Sequence, residues 1–302
     1  MDERVIRRVP GAGAMLPIAL SRLHRGTLDP TVVRRGSVWW RATRTPVGPA
    51  VASYEMVGGD VEVVSSGPGA EWLAEHAPRL FGAEDDPVGF VPRHPLLTEV
   101  WRRHPWLRVG ASDAVLEVLA PSILEQRVTG AEAYSSFAGL TRRFGESVPR
   151  VWRSPPLVLP LTAEQWRAIP SWEFLRAGVE SVRVRALVGA AGRNVERVLS
   201  VSDPDKALRS LSGVGVWTSA QVRQVALGDP DAWSEGDYHV PRGIAYALTG
   251  DESTDAGEVL AEWAGHRYRV EQLVALSGVR VARRGPRRAL PTHLPGRSAR
   301  RV

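Results

Sequence analysis

Residues 211–221 read LSGVGVWTSAQ, and Asp237 follows Trp217 by twenty positions. Gly213 and Gly215 stand two apart in a short apolar turn, directly before a run with helical spacing. Glycines there let the backbone take a positive φ and let another molecule come close. The helix that follows points free N–H groups and the positive end of its dipole out of the turn, which makes an anion site. A DNA phosphate suits such a site, because backbone donors hold it without reading sequence. An ordinary helix–helix turn with glycine caps is the other reading. Downstream, GDPDAWSEGD (228–237) is a Gly/Pro/acid-rich loop leading to Asp237, where a further helix starts. The dipole favours an ionised carboxylate at that place, so Asp237 can act as a base, stabilise positive charge, or cap the helix.

The elements that must position these residues divide the chain in two. SVWWRAT, AVASYEMV and DVEVVSSG, within 37–66, alternate β-formers and are separated by Pro-Val-Gly and Gly-Gly signals. They predict an antiparallel meander. AEWLAEHAPRLFG (70–82) follows with helical spacing and a glycine stop. Residues 1–82 thus form a small antiparallel sheet-and-helix domain, and 83–95 read as a linker. From 96 to 279 the helical period dominates, in runs such as SDAVLEVLAPSILEQRV, ESVRVRALVGAAGRNVERVL and DYHVPRGIAYALTG. The expected fold class is α+β: the N-terminal antiparallel domain, then an all-helical domain.

Composition narrows the chemistry. The chain of 302 residues has no cysteine, which excludes disulfides, thiolate metal sites and cysteine-held iron–sulfur clusters. It has 39 basic and 33 acidic residues. Eight arginines and no acid fall in 280–302, so this tail carries the basic balance and is expected to be disordered; it either attracts a polyanion or is a solvated terminus with no role. No apolar stretch is long enough to span a bilayer, and MDERVIRRVPGAGAMLPIAL lacks the pattern of a signal peptide, so a cytoplasmic protein is expected.

With the hairpin LSGVGVWTSAQ and the loop GDPDAWSEGD ending in Asp237, the sequence resembles the helix-hairpin-helix, Gly/Pro, Asp superfamily of base-excision DNA glycosylases. SILEQRVTGAEAYSSFAGLTRRFGE (122–146) is similar to the segment that inserts a wedge into DNA there. IPSWEFLRAGVESVRVRALVGAA (169–191) resembles the helix pair before the hairpin. Within the superfamily the sequence looks most like the 3-methyladenine DNA glycosylase II type, which also carries an N-terminal β-rich domain. The resemblance is strong over 96–279, weak over 1–82 and absent from the tail.

The resemblance implies an enzyme that flips a damaged base out of double-stranded DNA and hydrolyses its N-glycosidic bond, working as a monomer without a cofactor. Asp237 is the implied catalytic carboxylate, stabilising the oxocarbenium character of the deoxyribose and positioning water. Bifunctional members carry at position 217 a lysine that attacks the sugar; here it is Trp217, and the only lysine, Lys206, precedes the hairpin. Hydrolysis without strand cleavage follows as the expectation. Alkylated purines are the implied substrate, because they carry positive charge that an indole face attracts. An oxidised-base glycosylase and a non-catalytic DNA-binding protein are the alternatives. The implied pocket residues are Trp217, Trp172, Phe174, Tyr238 and His266. The implied DNA contacts are Gly213, Gly215, Val216, Trp217, Thr218, Arg267 and the wedge residues Gln126 and Arg127, where the nearest branch has an apolar residue in place of Arg127. Carbonyls of Arg209, Leu211 and Val214 are the implied holders of a monovalent cation; no side-chain metal site is expected.

Overall fold

The computed structural model describes residues 4–148 and 153–281. β1 (Arg4–Val9) precedes helix α1 (Leu16–Leu23), and β2 (Val32–Arg35), β3 (Val38–Thr45), β4 (Gly48–Val57) and β5 (Asp60–Ser66) follow. They form one antiparallel sheet of order β1-β5-β4-β3-β2. The expected meander is its centre. Both edges come from segments without a strong period: the arginine-rich RVIRRV and the four-residue VVRR. Charged edges of this kind resist pairing with other chains. Pro17, which interrupts the apolar run on paper, lies in the first turn of α1, where no N–H is needed.

The sheet is covered on both faces, which explains the nearly unbroken burial of β3. Trp39, Ala50, Ala52, Tyr54, Val61 and Val63 join the main core, whereas Trp40, Ala42 and Val51 pack on Leu157 and Leu159. Strand alternation assigns the two sets to opposite faces. On the inner face Arg41 is buried and pairs with Glu117 at 3.0 Å. Glu117 also accepts from Thr43 Oγ1 (2.7 Å) and Arg44 N (2.8 Å), tying the sheet to the helices.

The helices are α2 (Ala70–Leu80), α3 (Pro95–Arg103), α4 (Val115–Leu124), α5 (Gly130–Phe144), α6 (Ala163–Ala168), α7 (Ser171–Arg176), α8 (Ser181–Ala191), α9 (Pro204–Arg209), α10 (Val216–Val222), α11 (Val240–Thr249), α12 (Ala256–Leu260) and α13 (Arg267–Ser277). The helix expected over ESVRVRALVGAAGRNVERVL is broken: α8 ends at Gly192, and a 3₁₀ helix, Val195–Ser200, follows. The break lets Glu196 accept the N–H groups of Val115 (3.1 Å) and Leu116 (2.9 Å), an anion at the N-terminus of α4. Among the described residues no helix is long and apolar enough to cross a membrane.

The segment expected to be a linker, 83–95, is largely exposed but anchored to the core at two points. Asp85 forms a bidentate pair with Arg269 of α13 at 2.9 and 2.7 Å, and their side chains are 1% and 0% exposed. Phe90 is buried edge-on against Trp101 and His266. Polar composition suggests a linker, but a carboxylate that finds a buried guanidinium is held inside. The sheet's inner face and the helices consequently share one continuous hydrophobic core. Nearly all of the basic tail lies outside the described residues.

Candidate active site

The hairpin turn forms between α9 and α10. Val214 N–H donates to Leu211 O (3.0 Å), and Gly213 takes φ +83°. A Cβ on Gly213 would stand 2.5 Å from Ala186 Cβ, so glycine is required by both the conformation and the packing against α8. Gly215 differs: it is the extended N-cap of α10, and nothing lies within 4 Å of its would-be Cβ. Its exposed backbone leads into α10, whose first residues, Val216, Trp217 and Thr218, follow the turn. Leu211 O keeps one further lone pair beside its bond to Val214, so the turn is compatible with a cation at the carbonyls of Arg209, Leu211 and Val214. Among the described residues no His/Asp/Glu group is placed to hold a metal.

Trp217 and Asp237 meet. The half-buried indole Nε1–H donates to Asp237 Oδ2 at 3.2 Å. The other carboxylate oxygen accepts from the N–H groups of His239 (2.7 Å) and Val240 (2.9 Å). α11 therefore starts at Val240, three residues later than expected, and Asp237 caps it from outside. Three backbone or indole N–H donors surround the carboxylate, and among the described residues no guanidinium pairs with it.

The loop before Asp237 is pinned at several points. α10 runs into a π-helical turn, Arg223–Leu227, closed by Gly228 at φ +72°. The buried Gln224 of this turn donates to Ala232 O (2.6 Å) and Ser234 Oγ (3.1 Å). Gln221, one turn beyond Trp217, reaches Ser234 Oγ at 3.2 Å. Glu271 of α13 accepts from Ser234 N (2.7 Å) and Oγ (2.8 Å). Burial pushes the Glu271 carboxyl up, against the lowering effect of the Ser234 donors. Asp231 accepts from Gly265 N–H (2.8 Å) and the Arg267 guanidinium Nε (2.8 Å). Burial opposes its charge, but the Arg267 hydrogen bonds outweigh burial and hold the carboxyl below its ordinary value. Arg22 of α1 closes the network by donating to Gln221 Oε1 (3.3 Å) and Gln224 Oε1.

Of the residues expected at the site, Trp217, Asp237, Gly213, Gly215, Val216, Thr218 and Gln126 come together. Gln126 braces the hairpin, donating through Nε2 to Gly213 O (2.9 Å) and Thr218 Oγ1 (2.8 Å), so it is a strut more than a wedge. Beside it Arg127 is exposed, in a positive-φ conformation (φ +55°) rare for a non-glycine residue. Tyr238 is exposed next to Asp237, its ring against His239.

The other expected residues lie apart from the Trp217–Asp237 pair. Phe174 is fully buried and stacked on Trp166, a core position rather than a pocket lining. Trp172 of the same short helix points out and carries Arg176 over its ring. Arg267 is committed to Asp231 and anchors the loop instead of reaching for phosphate. His266 caps α13 against Phe90 and Arg269, and burial and Arg269 lower its pKa. The sequence reading missed Arg22, Gln221, Gln224, Ser234 and Glu271. Gln221 had a legible signal, being four residues from Trp217 on the same helix face; the others come from separate elements.

No protein-family model and no curated protein matches the sequence. Solved structures do match. The chain is similar to a 3-methyladenine DNA glycosylase from Archaeoglobus fulgidus, with TM-score 0.71 and 18% identity over 91% of this chain and 97% of that one. It is also similar to an 8-oxoguanine glycosylase/lyase from Clostridium acetobutylicum, solved with double-stranded DNA, with TM-score 0.66 and 14% identity over 83% and 88%. The chain shares the α+β fold of these two DNA glycosylases.

Proposed function

We propose that the protein is a DNA glycosylase that excises a flipped, damaged purine from double-stranded DNA by hydrolysis. The observation that carries this reading is the hydrogen bond from Trp217 Nε1 to Asp237 Oδ2. It orients the carboxylate beside a helix N-terminus, suited to stabilise positive charge on a deoxyribose and to position water. The hairpin N–H groups hold a phosphate, and Arg127 fills the stack where the nucleotide leaves it. Trp217 stands where a lyase would need an amine; the only lysine, Lys206, lies in α9 before the hairpin. Alkylated purines are the proposed lesions, supported by the indole at the site and by the likeness to an archaeal 3-methyladenine DNA glycosylase. A cation at the carbonyls of Arg209, Leu211 and Val214 belongs to the same reading, and so does action as a monomer.

The test is free-base release from methylated duplex DNA by the wild type and by Asp237→Asn. Release by the wild type alone, strand breaks only after alkali, and no adduct trapped by borohydride are expected. Strand breaks without alkali would overturn the hydrolytic mechanism. DNA binding by both proteins with no release of alkylated, oxidised or deaminated bases would make this a binding protein.

A further inference from the structure

Arg22 at the end of α1, Arg25 in the loop after it and Glu125 at the end of α4 bring together polar atoms that the catalytic-loop network leaves unsatisfied. Arg25 Nε lies 3.2 Å from Glu125 Oε1, yet the contact lacks hydrogen-bond geometry. Both atoms are buried without a hydrogen-bond partner, and so is Arg22 Nε. Buried polar atoms in that state cost stability unless a ligand completes them. Around them the framework is firm. Arg25 is held by its N–H on Asp29 (2.6 Å) and by Nη1 on Arg22 O (2.7 Å). Gly26, at φ +78°, lies so close to Tyr134 of α5 that a Cβ would be 2.9 Å from the ring. Burial raises the Glu125 carboxyl, and Arg25 and then Arg22 oppose the shift.

This cluster is linked to the helix that carries Trp217 by two contacts, and Arg22 and Asp237 both act electrostatically on Glu271. Glu125 immediately precedes Gln126, which is bonded to Thr218, the neighbour of Trp217. Arg22 reaches Gln221, one helical turn from Trp217. The Arg25 and Glu125 side chains are 11% and 20% exposed, so the group is reachable at its rim.

We propose that Arg22, Arg25 and Glu125 form the base-reading wall of the site and select purines of guanine type over adenine type. The inference rests on the glycosylase reading and deepens it. A carboxylate offers two acceptors, which match the ring N–H and exocyclic amino group of guanine. A guanidinium donates to its keto oxygen. An adenine-type base has no keto oxygen, and its ring nitrogens would leave the carboxylate facing lone pairs. The keto and amino pattern is common to 7-methylguanine and 8-oxoguanine, so the wall reads the parent base and not the damage.

Methylated duplex DNA carries 7-methylguanine and 3-methyladenine together, so one digest reports both. Free bases released by the wild type, Glu125→Gln and Glu125→Ala are separated and quantified, with melting temperatures measured alongside. Each substitution is expected to lower the ratio of 7-methylguanine to 3-methyladenine released by roughly tenfold or more. Glu125→Gln keeps the size of the side chain, and the ratio is insensitive to the folded fraction. Equal loss of both bases, or an unchanged ratio, would show that the cluster only joins α1 to α4. If the wild type releases neither methylated base, the same variants are assayed on an 8-oxoguanine duplex. Loss of release there with melting temperature and abasic-duplex affinity unchanged supports the wall while the alkylated-purine reading falls, whereas loss of stability or binding alongside would show that the cluster only joins α1 to α4. No release from any of these duplexes, despite binding, overturns the glycosylase reading and the wall with it.

Discussion

An indole N–H is a neutral donor, and that decides what Trp217 does for Asp237. A lysine or arginine at this place would form an ion pair with the carboxylate; the 3.2 Å bond from the neutral Nε1–H orients it without a counter-charge. Trp217→Phe keeps an aromatic ring and removes the donor together with part of the indole's bulk. The single-turnover rate of base release is expected to fall roughly ten- to a hundredfold, the scale of one hydrogen bond to a charged group. Affinity for an abasic duplex should change by less than about twofold, because the ring is retained. A rate equal to the wild type's would mean that the indole only packs beside Asp237.

At the scale of elements, the two hairpin glycines have different reasons. Gly213→Ala must bear a positive φ and a clash with Ala186, and is expected to cost about 2 kcal/mol or more in urea unfolding. Gly215→Ala meets no atom and adopts an ordinary extended conformation. Its melting temperature should match the wild type's, while duplex binding weakens severalfold if DNA approaches this backbone; unchanged binding would remove Gly215 from the interface. The loop anchor makes a pH-dependent prediction. Arg267 holds the Asp231 carboxyl below its unfolded value. Its stabilisation is therefore complete above that unfolded value, about 3.9, and is lost as pH falls through the folded value. Asp231→Asn should melt below the wild type by a constant margin from about pH 5.5 to 8, and the margin should close on acidification below about pH 3. A margin that widens in acid would contradict the assignment.

For the whole molecule, the Asp85–Arg269 pair is the decisive long-range contact. It joins the strap between α2 and α3 to α13, the helix that carries Arg267 and Glu271. Asp85→Asn leaves a buried guanidinium without its counter-charge and is expected to cost about 3–5 kcal/mol. Combining it with Arg269→Met should recover a large part of that loss in the same unfolding experiment. If instead Asp85→Asn unfolds like the wild type, the strap is a linker after all.

Local chemistry was legible from the residues alone. The hairpin glycines, the acid-rich loop and the central meander declare themselves through turn residues and periodicity, which act over a few positions, whereas Asp237 is singled out by its place after that loop together with the family resemblance. α1 and the edge strands did not, because RVIRRV, VVRR and a proline-led octapeptide have weak periods and gain their structure from neighbours. The same limit applies to the site. Trp217 and Asp237 could be picked out by type, but their mutual hydrogen bond could not. Arg22, Glu125, Glu271 and Arg269 look like ordinary surface charges in sequence. Only the tertiary structure makes them buried partners, because a charge enters a core where another element supplies its counter-charge or donor, and that pairing is set by distant segments of the chain.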